Sequence, residues 1–113
     1  MIPPRRGEVW LVDLGMIAKV RPALVISVPA GLGDRAPVTL VPHTTSTRAS
    51  AFEAVVPVPY LREGAFDAQS LVTIPHAKLM RRLGILTPRQ LADVERVVCA
   101  WLGFPPRDVG ARA

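Results

Sequence analysis

Residues 38–48 read VTLVPHTTSTR. The run VTLVP is apolar and rich in β-branched residues, the composition of a strand inside a sheet. Within two positions it gives way to His43, Thr44, Thr45, Ser46, Thr47 and Arg48. We place a strand over 38–44. Its polar end has two readings. Short hydroxyl side chains cap turns by bonding nearby backbone, and a dense group of them beside an arginine can also hold an anion.

Working outward, GEVWLVDL (7–14) alternates as a strand, and PALVISV (22–28) reads as a central one with Pro22 at its start, where the missing N–H is tolerated. GMIAKV (15–20) is the loop between them, and PAGLGDRAP (29–37) is a turn. FEAVVPV (52–58) predicts a fourth strand, placed at an edge by Pro57. DAQSLVTI (67–74) predicts a fifth. HAKLMRRLGIL (76–86) is read as a short basic helical turn feeding a brief strand, LGIL.

The end of the chain has another period. Thr87-Pro88-Arg89-Gln90 has the form of a capping box with proline at the first helical position. Leu91, Val94, Val98, Trp101 and Leu102 recur at helical spacing, with Arg89, Asp93 and Arg96 on the other side and Gly103 as the stop. This predicts a helix over 88–102 whose apolar stripe packs on the sheet. The fold class is therefore mainly β, a small barrel or sandwich with a C-terminal helix. One domain spans 1–113, with its core at about 6–104 and a frayed tail at 105–113.

The bulk numbers narrow the function. A chain of 113 residues, half of them apolar, can bury a single core. It has one cysteine, Cys99, so no internal disulfide is possible, and a buried thiol on the helix is expected. No signal region or membrane-length apolar run is found, which points to a cytoplasmic protein without a membrane partner. Lys+Arg number 14 against 9 Asp+Glu, and all but Lys19 and Lys78 of the basic residues are arginine. That balance favours an anionic partner, although an arginine-rich composition alone gives the same count. His43 and His76 stand apart, without metal-ligand spacing, and no phosphate-binding glycine loop follows a strand. No metal or cofactor is expected.

Two residues remain for chemistry. Arg21 stands where the loop meets strand 22–28, and Thr44 at the matching end of strand 38–44. If those strands lie close, the two face one pocket, and an arginine with a hydroxyl suits a phosphate. Spacing alone favours the plainer account, in which Thr44–Thr47 cap a turn and Arg21 runs along the surface. His43, by alternation, points away from Thr44 and packs.

The order RGEVWLVDL (6–14), VRPALVIS (20–27), VTLVPHTTS (38–46) and LMRRLGIL (79–86) before a terminal helix resembles the MazF/PemK family of toxins. The resemblance implies a small SH3-like β-barrel of the CcdB/PemK type that forms a homodimer. It implies a sequence-specific endoribonuclease that cleaves single-stranded mRNA without metal and is held inactive by a cognate acidic antitoxin. It makes Arg21 and Thr44 the catalytic pair, with the adjacent 2′-OH as nucleophile, leaving a 2′,3′-cyclic phosphate and a 5′-OH. Lys19, Thr45, Ser46, Arg48 and Gln69 become candidate RNA contacts. The chain departs from the family in its short loop, GMIAK, and in DAQSLVTI. Relatives often carry an Asp-Gln-x-Arg-Thr-like stretch there, of which Thr73 can be matched and the arginine cannot. Asp67, Gln69 and Ser70 thus lie outside the matched motif. Two other classes stay open: a gyrase-poisoning toxin of the CcdB type, and a barrel that binds without catalysis.

Overall fold

The computed structural model describes residues 3–15 and 19–105. Seven strands pair into one sheet: β1 (Glu8–Asp13), β2 (Val20–Val25), β3 (Pro37–Thr44), β4 (Glu53–Ala54), β5 (Ala65–Asp67), β6 (Val72–Pro75) and β7 (Leu79–Ile85). The helix α1 (Pro88–Leu102) follows. The pairing order is β4-β5-β3-β2-β1-β7, with β6 beside β3. All pairs are antiparallel. The order ends at β4 and β7 and does not close into a ring, so among the described residues the expected barrel is an open sheet.

β3 organises the sheet. One of its edges takes β2, with Ala23 opposite Pro42 and Leu24 opposite Val41. The other takes two strands in turn: β6 against Pro37–Leu40, and β5 against His43 and Thr44. Val41 and Pro42 have no strand partner on that second edge, and proline has no N–H to give a ladder. The chain crosses this gap as a 3-10 turn, Ala68–Ser70.

Period-two alternation divides the apolar residues of β1, β2 and β3 between two faces. Leu24, Val41 and Phe66 join Val94 and Val98 of α1 in one cluster, whereas Val12, Ala23, Val25 and Leu40 form a second one on the opposite face. The helix is placed by its ends. The Thr87 hydroxyl accepts from the Gln90 backbone, the Gln90 side chain accepts from the Thr87 N–H, and Gly103 closes the helix in the left-handed region. Arg6 ties the sheet to it: its guanidinium pairs with Glu95 and also donates to the Ile26 carbonyl at 3.0 Å.

Four expectations are corrected. The fourth strand shrinks from 52–58 to Glu53–Ala54, because Pro57 and Pro59 remove ladder donors. Its edge position holds. The fifth, 67–74, breaks into β5, a turn and β6, because Asp67 caps the turn instead of extending the strand. The last strand is longer than LGIL and takes in Leu79–Arg82. The helical stripe stays buried only as far as Val98. Trp101 and Leu102 are 42% and 46% exposed at the C-terminal end of α1, where Trp101 packs at an angle on Phe52, with 5.2 Å between ring centroids.

Removing the helix cap tests how far α1 depends on it. Thr87→Ala is expected to cost about 1 kcal/mol and to lower the melting temperature by several degrees, measured by calorimetry or circular dichroism with the same secondary structure before the transition.

Candidate active site

The sheet register brings the sequence candidates together. Ala23 lies opposite Pro42, so continuing β2–β3 by two residues sets Arg21 opposite Thr44 on the same face. Thr44 in turn pairs with Ala65, and Asp67 is two residues further along β5 on that face. A pocket of about 320 Å³ lies there, lined by Leu14, Arg21, Pro42, His43, Thr44, Asp67, Ser70 and Val72. It sits over the gap at Pro42, where β5 gives way to the turn.

Each polar group is held by its neighbours. The Thr44 hydroxyl oxygen accepts from the Ser46 N–H at 3.0 Å, which uses one lone pair and leaves its O–H free to donate. The plainer reading of the hydroxyl cluster, a capped turn, is thus true of Thr44 without excluding it from the pocket. The following loop is braced by Glu53, whose carboxylate accepts from the backbone of Arg48 and Ser50. Asp67 accepts at one oxygen from the Gln69 N–H (3.0 Å) and at the other from the Ser70 hydroxyl (2.8 Å). Gly64 runs directly against the Thr44 carbonyl, in space that a Cβ would fill.

His43 turns its ring to the opposite face, edge-on to Phe66 at 5.1 Å, and is 5% exposed. Burial holds its pKa below the usual histidine range.

The other named residues lie outside this lining. Lys19 is exposed in the left-handed region, φ 53°, at the end of the loop, and its carbonyl and N–H close that turn on Leu14 and Gly15. Thr45, Ser46 and Arg48 are exposed on the loop after β3, and Gln69 is exposed on the 3-10 turn. Three of the six loop positions 15–20 (16, 17 and 18) lie outside the described residues. Asp67 and Ser70 are the pocket residues that the sequence reading set aside. The signal was present as D-x-x-S, a turn-capping pattern built from residues that strands disfavour. Among the described residues no three His, Cys, Asp or Glu side chains cluster as a metal site would need.

The model of the PemK-like, MazF-like toxins of type II toxin-antitoxin systems matches residues 5–102. The chain belongs to this family. It is 33% identical over 105 residues to the probable endoribonuclease MazF5 of Mycobacterium tuberculosis, covering 88% of this chain and 89% of that one. Among solved structures it is similar to an endoribonuclease from a mycobacterial species, at 26% identity and a TM-score of 0.77, over 95% of this chain and 98% of the other. It is similar also to a mycobacterial endoribonuclease in complex with its cognate antitoxin, at 27% identity and a TM-score of 0.78, over 92% and 99%. The match places the toxin fold over both sides of the pocket.

Two measurements test the packing behind Thr44. Gly64→Ala is expected to destabilise the toxin by about 1–3 kcal/mol, because the obstructing atom is backbone and cannot swing away. Faster amide exchange at the end of β3 is the second sign. His43 makes acid destabilising. At neutral pH both folded and unfolded chains carry a neutral ring. As pH falls through about 6.5, the unfolded chain takes up the proton first, so stability drops until the lower folded value is passed. Denaturant titrations from pH 7.5 to 5 should show this fall, and His43→Leu should remove its part of it.

Proposed function

We propose that the pocket between Arg21 and Thr44 is where this toxin-family endoribonuclease cuts single-stranded RNA. The observation that supports the reading is that Arg21 and Thr44 both line this pocket, at the ends of two central strands whose register, continued by two residues, brings them opposite each other. The 2′-OH attacks the adjacent phosphorus, the 5′-oxygen leaves, and the products are a 2′,3′-cyclic phosphate and a 5′-OH. Charge grows on the non-bridging oxygens as the phosphorus becomes crowded. Arg21 offers its planar fork of N–H donors to them, and Thr44 donates its O–H to one. No step needs a metal. Lys19, Thr45, Ser46, Arg48 and Gln69, all exposed, are the residues proposed to meet the backbone and bases of the bound strand.

The toxin acts in the cytoplasm as a homodimer, and a cognate acidic antitoxin segment, disordered until bound, covers the Arg21 end of the sheet. No helix among the described residues is long and apolar enough to cross a membrane. Between RNA cleavage and gyrase poisoning, the named relatives favour cleavage.

The test uses long RNA in the presence of EDTA. Discrete fragments with cyclic-phosphate ends are expected. One deoxyribose on the 5′ side of the cut should abolish cleavage and leave binding, since most phosphate contacts survive. Arg21→Ala should be inactive and Arg21→Lys little better, because lysine keeps the charge and loses the fork. Thr44→Ala should lose about one to three orders of magnitude in kcat, and Thr44→Ser should lose less. A folded Arg21→Ala that cuts at the parent rate would overturn the assignment.

A further inference from the structure

We infer that Glu53, on the edge strand β4, is a positioning residue for RNA binding: it folds the loop after β3 so that Arg48 meets a phosphate of the bound strand beside the cut. The inference rests on the reading of the pocket given above, which names Arg48 as an RNA contact and leaves open what holds it in place. A polar loop that had to order itself at each encounter with RNA would lose affinity to that ordering. The bonds around Glu53 order this loop beforehand.

The register turns Glu53 toward the pocket side of the sheet. Ala54 pairs with Phe66, and both are buried in the cluster that includes Val94 and Val98 of α1. One residue along, Glu53 pairs with Asp67, so by alternation both carboxylates project from the opposite face, the one that carries Thr44. Like charges directly opposite each other in a sheet repel, and here each is engaged by donors of its own. Asp67 accepts from the Gln69 N–H and the Ser70 hydroxyl of the 3-10 turn. Glu53 takes its donors from the loop. Its Oε1 accepts from the Arg48 N–H at 3.0 Å and the Ser50 N–H at 3.1 Å, and its Oε2 shares the Arg48 N–H at 3.1 Å.

The residue between those two donors is strained. Ala49 stands at φ 53°, in the left-handed region that residues other than glycine rarely adopt. Such a conformation persists only where its surroundings hold it. A left-handed residue turns nearby N–H groups toward one side and forms a concave site for an anion, and the Glu53 carboxylate fills it. Near its other end the loop is pinned by the Ser46 N–H, which donates to the Thr44 hydroxyl at 3.0 Å. These bonds use only the backbone of Arg48, and its guanidinium takes part in none of them. Thr44 at one end and Glu53 at the other thus fix where the exposed Arg48 side chain leaves the loop, four positions after Thr44.

Glu53→Ala is the decisive variant, measured in the full chain beside Glu53→Gln, which keeps one oxygen able to accept from both N–H groups. Glu53→Thr, suited to an edge strand but too short to reach the loop, stands in if the alanine variant melts early. With long RNA, Glu53→Ala is expected to raise KM about ten- to hundredfold and to leave kcat within a few-fold, the pattern of a contact made equally before and during the reaction. The slope of log KM against log salt should become shallower by about 0.7, the share of one phosphate on a single strand. Glu53→Gln should recover most of both changes. Arg48→Ala should reproduce them, and adding it to Glu53→Ala should change little more, because the two substitutions remove one contact. A Glu53 that only supports the fold would lower the melting temperature and leave the effect of Arg48→Ala at full size in both backgrounds. That result overturns the proposal, and so does a folded Glu53→Ala with the parent's KM and salt slope. Arg21→Ala measured alongside separates two failures. If it is inactive while Glu53→Ala keeps the parent's KM, the pocket stands and the loop is not what Glu53 contributes to RNA binding. If Arg21→Ala cuts at the parent rate as well, the pocket itself is wrong.

Discussion

Strand β3 is the constraint on which the rest depends. Both of its edges are occupied, by β2 on one side and by β6 and β5 on the other. A strand held from both sides cannot slip by one residue without sending every side chain to the wrong face. Such a slip would bring His43 to the pocket face and send Thr44 into the cluster around Phe66. The 0% exposure of Leu24, Val41 and Phe66 is therefore what keeps Thr44 beside Arg21. The core and the site are two faces of one register.

The pocket exists because the sheet is interrupted. Pro42 adds no N–H to a ladder, and on the β5–β6 edge it and Val41 have no strand partner. Asp67 and Ser70 come to the pocket through the turn that crosses this gap. An unbroken ladder would have carried β5 straight past Pro42. Polar side chains at a break in pairing are free to take part in chemistry, because they are not needed to satisfy the sheet.

Much of this was legible in the sequence where the cause is local. The capping box at Thr87 and Gln90, the stop at Gly103 and the inward turn of His43 follow from neighbours within four residues. The meeting of Arg21 with Thr44 was foreseeable once strands 22–28 and 38–44 were taken as adjacent. Asp67 and Ser70 were set aside because DAQSLVTI is apolar enough to read as one strand; the D-x-x-S cap that breaks it is local, but the gap at Pro42 that the turn crosses lies 25 positions earlier. The exposure of Trp101 was hidden too. Periodicity shows which side of a helix is apolar, and it is silent on where the surface beneath the helix ends.

If RNA is cut at this pocket as proposed, its walls explain how a shallow site can be effective. Leu14, Pro42 and Val72 give it apolar sides, and it opens to solvent. With water present, the attraction between Arg21 and a phosphate is weak, since unit charges a few ångströms apart gain about 1 kcal/mol in bulk water. In the proposed reading, a strand of RNA laid across the opening displaces that water and becomes the missing wall. The same charges then interact through a medium of lower dielectric, several-fold more strongly, and this gain comes only when substrate is in place. Donors fixed beforehand, as the Thr44 hydroxyl is by Ser46, lose little freedom at that moment. An open pocket with oriented donors and apolar sides thus suits a substrate that is a long polyanion and cannot be enclosed.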